Sequence, residues 1–337
     1  MLFLLVQSFF WLFVLVLLVF VVLIGESRVL NYRLSQLSLD EKRAYYRKKI
    51  NLFQLEKASN DPTDIKTATF LLRDGFEKNE TVSVFCRGLK ITNRPSWNKK
   101  IILYIHGAWS GLFQKHPFLN GYLSVDAVRG AISRFACLKL DVPVIAFQLP
   151  TEPTGSLNFG QEDDQLVLSI VIEKLMEMNP QVEISLYGVC VGALRIQRWI
   201  GGASEGQLKN IHTLILESPL PCVKRLVSFS KNDPVNEWMY FLFSLLLPSY
   251  TRHPEIRRFT SKKPTLLFGC QEDRLCEEKD LLFLQKQNFP NSKIIFVPEK
   301  WNHGELFKSD PFQQNVRALS NPISCPQSKQ NKNLKND

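Results

Sequence analysis

One decapeptide carries the strongest chemical signal in the chain: Ile184-Ser185-Leu186-Tyr187-Gly188-Val189-Cys190-Val191-Gly192-Ala193. An apolar, strand-like run enters Gly-x-Cys-x-Gly, and a helix-forming stretch leaves it. A nucleophile on a tight strand-to-helix turn takes strained dihedrals and crowds its neighbours, and small residues two before and two after it relieve that crowding. The helix that follows aims its N-terminus at the side chain, which favours a thiolate. Composition alone predicts about 0.015 copies of the pattern in a chain of this make-up, so chance is a poor account of it. The competing reading is a buried structural cysteine between packing glycines.

Two further elements fall where such a nucleophile needs them. His106-Gly107 follows directly on the apolar run Ile101–Ile105. A glycine there lets backbone N–H groups turn toward a substrate oxygen, with the amides of Ala108 and Val191 as the oxyanion donors. Downstream, Leu267-Phe268-Gly269-Cys270-Gln271-Glu272-Asp273 places a carboxylate just past a strand, and Trp301-Asn302-His303-Gly304-Glu305 places an imidazole just past the last one. Glu217, in Leu216-Glu217-Ser218-Pro219, is a second candidate for the acid. His106 reads as a loop-structuring residue, and His116, His212 and His253 as surface or packing residues. Cys222, Cys270 and Cys276 have no His or Cys at metal-ligand spacing, so neither a metal nor a cofactor is expected. Asp163-Asp164 reads as a helix start, where carboxylates favour the dipole.

The elements that must position these residues follow from the apolar pattern. Six short, nearly continuous apolar runs (101–105, 142–147, 182–186, 211–216, 265–268 and 293–297) alternate with helical-period stretches such as 163–178 and 277–287. Strands buried on both faces read as continuous runs, so an α/β sheet, mostly parallel, is expected. Segments 68–73 and 81–89 flank an Asp74-Gly75 turn region and predict an antiparallel N-terminal hairpin. Upstream, Ser38-Leu39-Asp40-Glu41 forms a capping box and predicts a helix of about 18 residues, past Phe53. This is expected to be a solvated linker helix, with lipid-headgroup contact by Arg47, Lys48 and Lys49 as the alternative.

On these motifs, residues 67–317 resemble an α/β-hydrolase fold domain. The chain order nucleophile, acid, base is that of the family's triad, and Val144–Pro150 through Gly155-Ser156 is similar to its strand and loop before the nucleophile. The resemblance implies Cys190 as nucleophile, Asp273 as acid, His303 as base, and Ala108 and Val191 as oxyanion hole. It implies helices on both faces of the sheet, and a cap or lid over about 221–260, a strongly apolar segment. The departure is the cysteine itself, where most of the family has serine. Dienelactone hydrolases and polyhydroxyalkanoate synthases are similar in using cysteine at this elbow.

Residues 1–25 carry no charge, and only Gln7 and Ser8 interrupt the apolar run up to Ile24. Twenty-four helical residues span roughly 36 Å, more than a hydrocarbon core, and an uncleaved transmembrane anchor is expected. Residues 26–49 hold seven basic and three acidic residues, which keeps the C-terminal side in the cytoplasm. Seven cysteines in 337 residues argue for a reducing compartment and against a disulfide framework. The net charge of +10 is diffuse: residues 67–317 carry 30 basic and 25 acidic residues. No dense basic stripe remains, so nucleic acid is not an expected partner. The expected organisation is an anchor (1–25), a basic linker (26–66), the α/β domain (67–317) and a disordered tail (318–337).

The function expected from these readings is a membrane-anchored hydrolase of a carboxylic ester or thioester with an apolar, lipid-like acyl group. An acyltransferase built on the same cysteine is the first alternative, because a thioester intermediate can pass its acyl group to water or to another acceptor. A non-catalytic, membrane-tethered interaction protein that has kept the fold is the second.

Overall fold

The computed structural model describes residues 32–57, 65–72, 90–92, 99–107, 131, 134–140, 142–148, 162–220, 259–271, 273, 275–297, 301 and 303–320, together with Gln7 and Trp11. The described strands are β1 (Asn51–Lys57), β2 (Ile65–Leu72), β3 (Lys90–Thr92), β4 (Lys100–Ile105), β5 (Val144–Gln148), β6 (Glu183–Val189), β7 (Ile211–Glu217), β8 (Thr265–Cys270) and β9 (Ser292–Val297). They form one nine-stranded sheet in the order β3-β2-β1-β5-β4-β6-β7-β8-β9. The helices are α1 (Leu39–Lys49), α2 (Glu162–Met178), α3 (Val191–Gly202), α4 (Glu205–Leu208), α5 (Glu278–Gln287) and α6 (Asp310–Ser320).

Within β4 to β9 every pairing is parallel, and each of these strands coincides with one of the six apolar runs. Their continuity has a plain cause, visible at β8. Phe268 stacks on Phe312 of α6, with ring centroids 4.0 Å apart. At the next residue, a Cβ added to Gly269 would lie 2.5 Å from Leu281 of α5. Successive residues of a strand point to opposite faces, so α5 and α6 cover opposite faces of the sheet. Strand β6 repeats the pattern: Tyr187 reaches Phe312 at 5.9 Å, while Gly188 backs onto Ile196 of α3.

Strand β4 lies between β5 and β6. The chain therefore leaves β4 toward one side of the sheet and returns on the other. Such a switch opens a crevice at the carboxyl ends of the two strands, and here those ends carry His106-Gly107 and Cys190.

The N-terminal part departs from expectation in three ways. The capping box at Ser38 and Glu41 forms, but the helix stops at Lys49, where Ile50 turns extended (φ −79°, ψ 127°). Residues 51–57, read as helix, form β1, which pairs antiparallel with β5. Non-local pairing with a sheet edge outweighs local helical periodicity here. Among the described residues the antiparallel partner of β2 is likewise β1, where 81–89 was expected. That segment lies outside the described residues, and β3 runs parallel to β2.

Third, α1 is not a solvated linker. Leu34, Tyr46, Ile50, Leu52 and Leu55 are buried in the common core. Lys42, Arg43 and Arg47 pair with Asp163, Glu173 and Glu177 of α2, at 3.5, 2.7 and 3.3 Å. Partly exposed pairs are worth about 0–1 kcal/mol each, whereas a buried aliphatic side chain contributes about 1.5–3 kcal/mol. Burial holds α1 on the domain, and the ion pairs orient it. The packed domain thus begins near Leu34 rather than at residue 67, and α6 extends to Ser320, past the expected start of the tail.

Among the described residues no helix is long and apolar enough to cross a membrane. The expected anchor (Gln7 and Trp11 apart), nearly all of the expected cap, and residues 321–337 lie outside the described residues.

Phe312 is fully buried between β6 and β8. Phe312→Ala is expected to destabilise the domain by about 3–5 kcal/mol, read from urea unfolding, and Arg43→Ala by less than about 1 kcal/mol.

Candidate active site

Cys190 sits between the last residue of β6 and the first of α3, with φ 54° and ψ −115°. A non-glycine residue held at such angles costs on the order of 1–3 kcal/mol, so its surroundings must fix it. Its N–H donates to the Glu217 carbonyl at 2.9 Å, and its own carbonyl accepts from Leu194 N–H at 3.2 Å. Both flanking glycines are required by close approach. A Cβ on Gly188 would lie 2.6 Å from the Ala193 nitrogen, and one on Gly192 only 2.1 Å from the Ile105 carbonyl oxygen. Helix α3 thereby abuts the end of β4.

His303 lies in the loop between β9 and α6. Its Nδ1 is 2.9 and 2.8 Å from the two carboxylate oxygens of Asp273. Asp273 follows β8 and is buried, and its Oδ1 also accepts from the N–H groups of Leu275 and Cys276, at 3.0 and 3.1 Å. The carboxylate is thus fixed on one side by backbone and orients the ring on the other. Burial alone would push the His303 pKa down. The hydrogen bond to Asp273 and the adjacent Cys190 sulfur outweigh it and raise the pKa to about 10. His303 Nε2 is buried without a hydrogen bond of ordinary geometry, and the Cys190 sulfur lies close enough to raise the ring's pKa.

Carboxylate, imidazole and thiol therefore stand in sequence at the crevice. Val191 opens α3, where the first N–H groups have no acceptor within the helix and the dipole favours negative charge. Ala108, the other expected oxyanion donor, lies outside the described residues. His106 is buried, with Nδ1 2.9 Å from the Gly107 oxygen. Burial, then the charge of Arg195, push its pKa down to about 3. A ring kept neutral in this way is a poor base at neutral pH, which agrees with a loop-structuring role.

Glu217 is not the orienting acid. It is fully buried. Its Oε2 accepts from the Tyr187 hydroxyl and, at 3.2 Å, from Arg134 Nε. Its Oε1 accepts from Phe307 N–H at 3.4 Å. Arg134 stacks over Phe307 at 4.4 Å, and its Nη2 donates to the Gly304 carbonyl at 2.8 Å. A second buried pair supports the other wall of the crevice. Arg195 Nε donates to Asp164 at 2.8 Å and Arg195 Nη1 to the His106 carbonyl at 3.2 Å.

Sequence reasoning overlooked both arginines. The one available hint for Arg195 was a charge set between Leu194 and Ile196 on the buried face of α3. His212 is exposed, and His116, His253 and Cys222 lie outside the described residues. Among the described residues no cluster of three or more His, Cys, Asp or Glu side chains is placed to hold a metal ion, and no disulfide joins Cys137, Cys190, Cys270 and Cys276.

No protein-family model matches the sequence. No curated protein matches it either. Solved structures give weak likenesses. An esterase of Pyrococcus furiosus shares 19% identity at a TM-score of 0.45, over 65% of this chain and 80% of its own. An esterase of Exiguobacterium antarcticum shares 14% at 0.42, over 67% and 93%. A dienelactone hydrolase of Anabaena variabilis shares 14% at 0.37, over 67% and 85%.

The raised His303 pKa has a signed consequence. The ring contributes stability that is fully present below its ordinary value of about 6.5 and is lost as pH rises through about 10. Its NMR signal is expected not to titrate between pH 6 and 8, and Asp273→Asn is expected to bring the midpoint down toward the ordinary value. Gly192→Ala is expected to cut alkylation of Cys190 by iodoacetamide more than tenfold, because α3 and β4 must separate to admit the methyl group.

Proposed function

We propose that this protein is a hydrolase of the α/β-hydrolase type, cleaving a carboxylic ester or thioester with an apolar acyl group through a Cys-His-Asp triad. The supporting observation is the assembly of Cys190, at a positive φ on a strand-to-helix turn, with a His303 ring oriented by Asp273. A buried structural cysteine needs neither the strained backbone nor the carboxylate-held imidazole beside it. In this reading His303 takes the proton of Cys190, and the thiolate attacks the acyl carbonyl. The Val191 and Ala108 amides hold the tetrahedral oxyanion, and His303 gives its proton to the leaving group. Water, activated by His303, then clears the thioester and regenerates the thiol.

The reading includes a single-pass anchor over residues 1–25, with the catalytic domain on the cytoplasmic side. Its support is the uncharged apolar run and the basic flank after it. With the packed core beginning near Leu34, residues 26–33 alone would join the two, a reach of at most about 28 Å. A site held that close to a bilayer suits an acyl substrate delivered from the lipid.

The test compares wild type with Cys190→Ala on short- and long-chain p-nitrophenyl esters and acyl thioesters. Wild type is expected to turn over, with preference for the longer chains, and to carry an acyl adduct on Cys190. Equal rates in the two proteins would reject the proposal. Product analysis separates the alternative: an acylated acceptor in place of free acid would make the same site an acyltransferase.

A further inference from the structure

We infer that Glu217, with Arg134 as its counter-ion, is a positioning residue that couples the loop carrying His303 to the turn carrying Cys190. The inference rests on the functional reading of those two residues given above. The contacts of Glu217 reach both segments. Its backbone carbonyl accepts the N–H of Cys190 at 2.9 Å. Its side chain accepts the N–H of Phe307 at 3.4 Å, and its partner Arg134 donates to the carbonyl of Gly304 at 2.8 Å. Gly304 is the residue after His303 and has a φ of +74°, so this peptide is at a bend in the very loop that presents the imidazole. One fully buried residue thus touches the backbone of both loops.

The pair is poorly explained as a stabilising device. Buried ion pairs gain little over apolar residues of the same volume, since desolvation offsets the attraction. Here the carboxylate is fully buried and the guanidinium nearly so, with Tyr187 sharing the same carboxylate oxygen. What the charges do provide is direction. A guanidinium fork can hold Glu217 with Nε while Nη2 holds Gly304, in one fixed plane. The aromatic rings of Tyr104 and Phe307, 5.3 and 4.4 Å from the guanidinium carbon, confine that plane. A lysine could keep the charge but could not bridge both acceptors.

Asp273 fixes the rotation of the His303 ring, but it approaches from β8 and leaves the advance of the loop toward Cys190 to other groups. The Glu217–Arg134 pair supplies that second constraint. It also explains a carboxylate at the end of β7 that has no contact with the imidazole. A misplacement of about 1 Å between reacting groups costs on the order of a hundredfold in rate.

The experiment uses the full chain with 13C-labelled histidine, of which it has only five. Glu217→Gln, Arg134→Lys and the charge-free double variant Glu217→Gln/Arg134→Met are compared with wild type. The probes are p-nitrophenyl butyrate turnover and the titration of the His303 ring. Expected are a kcat lower by about 10–100-fold, a KM within about twofold, and a His303 midpoint lowered by at least one pH unit as the ring withdraws from the sulfur. If a single variant fails to fold, as judged by far-UV circular dichroism, the double variant decides in its place. Folded variants with wild-type kcat and midpoint would overturn the inference. So would a fall in kcat with the midpoint unmoved, since positioning acts through that ring. A wild-type protein with no Cys190-dependent turnover would sink the hydrolase reading instead, leaving the His303 midpoint to decide the coupling.

Discussion

The site depends on one close approach, that of Gly192 at the start of α3 against the carbonyl of Ile105 at the end of β4. No side chain fits there, because a methyl group would lie 2.1 Å from that oxygen. The contact draws the helix N-terminus down onto the carboxyl ends of β4 and β6, and the chain can meet it only by turning sharply at Cys190. The positive φ of that residue follows, and with it the projection of the thiol away from the sheet. Placing Cys190 at the switch between β5-β4 and β6-β7 is then a matter of strand order. The strain is of order 1–3 kcal/mol. It is offset by strand ladders on both sides and by the hydrogen bond from Cys190 to Glu217 across to β7.

Two buried ion pairs flank this turn, and each ends on backbone rather than on substrate-facing atoms. Arg195 and Asp164 hold the His106 carbonyl on the β4 side, and Arg134 and Glu217 hold the Gly304 carbonyl on the β9 side. Removing one partner of such a pair leaves an uncompensated buried charge, at a cost of about 3–5 kcal/mol. These pairs are therefore constraints of high consequence and little net gain. Their value lies in direction: each ties down a main-chain carbonyl in a segment beside Cys190 or His303.

What could be read from the sequence divides along the same physical line. The six parallel strands were legible because burial on both faces writes a continuous apolar run, a purely local signature. Cys190, Asp273 and His303 could be singled out because each comes within a few residues of the carboxyl end of such a strand. Residues 50–57 were not, since Ile50, Leu52, Phe53 and Leu55 satisfy a helical period and a strand alternation about equally. The choice is made by pairing with β5, almost a hundred residues away in sequence. Arg134 and Arg195 act through main-chain oxygens, which leave no spacing to recognise. Glu217 and Asp273 gave the same local signal, a carboxylate past a strand. Only the fold separates the one that meets the imidazole from the one that holds its loop.

The protonation of His303 bears on how the ring and the Cys190 sulfur stand to one another. A ring whose pKa is raised to about 10 is largely imidazolium at neutral pH. Part of the rise comes from Cys190 itself, which means that the charged ring and the sulfur favour one another. Asp273 holds that charged form in place through both of its carboxylate oxygens. The charged ring and the sulfur beside it thus belong to one electrostatic arrangement, anchored by the buried Asp273 carboxylate.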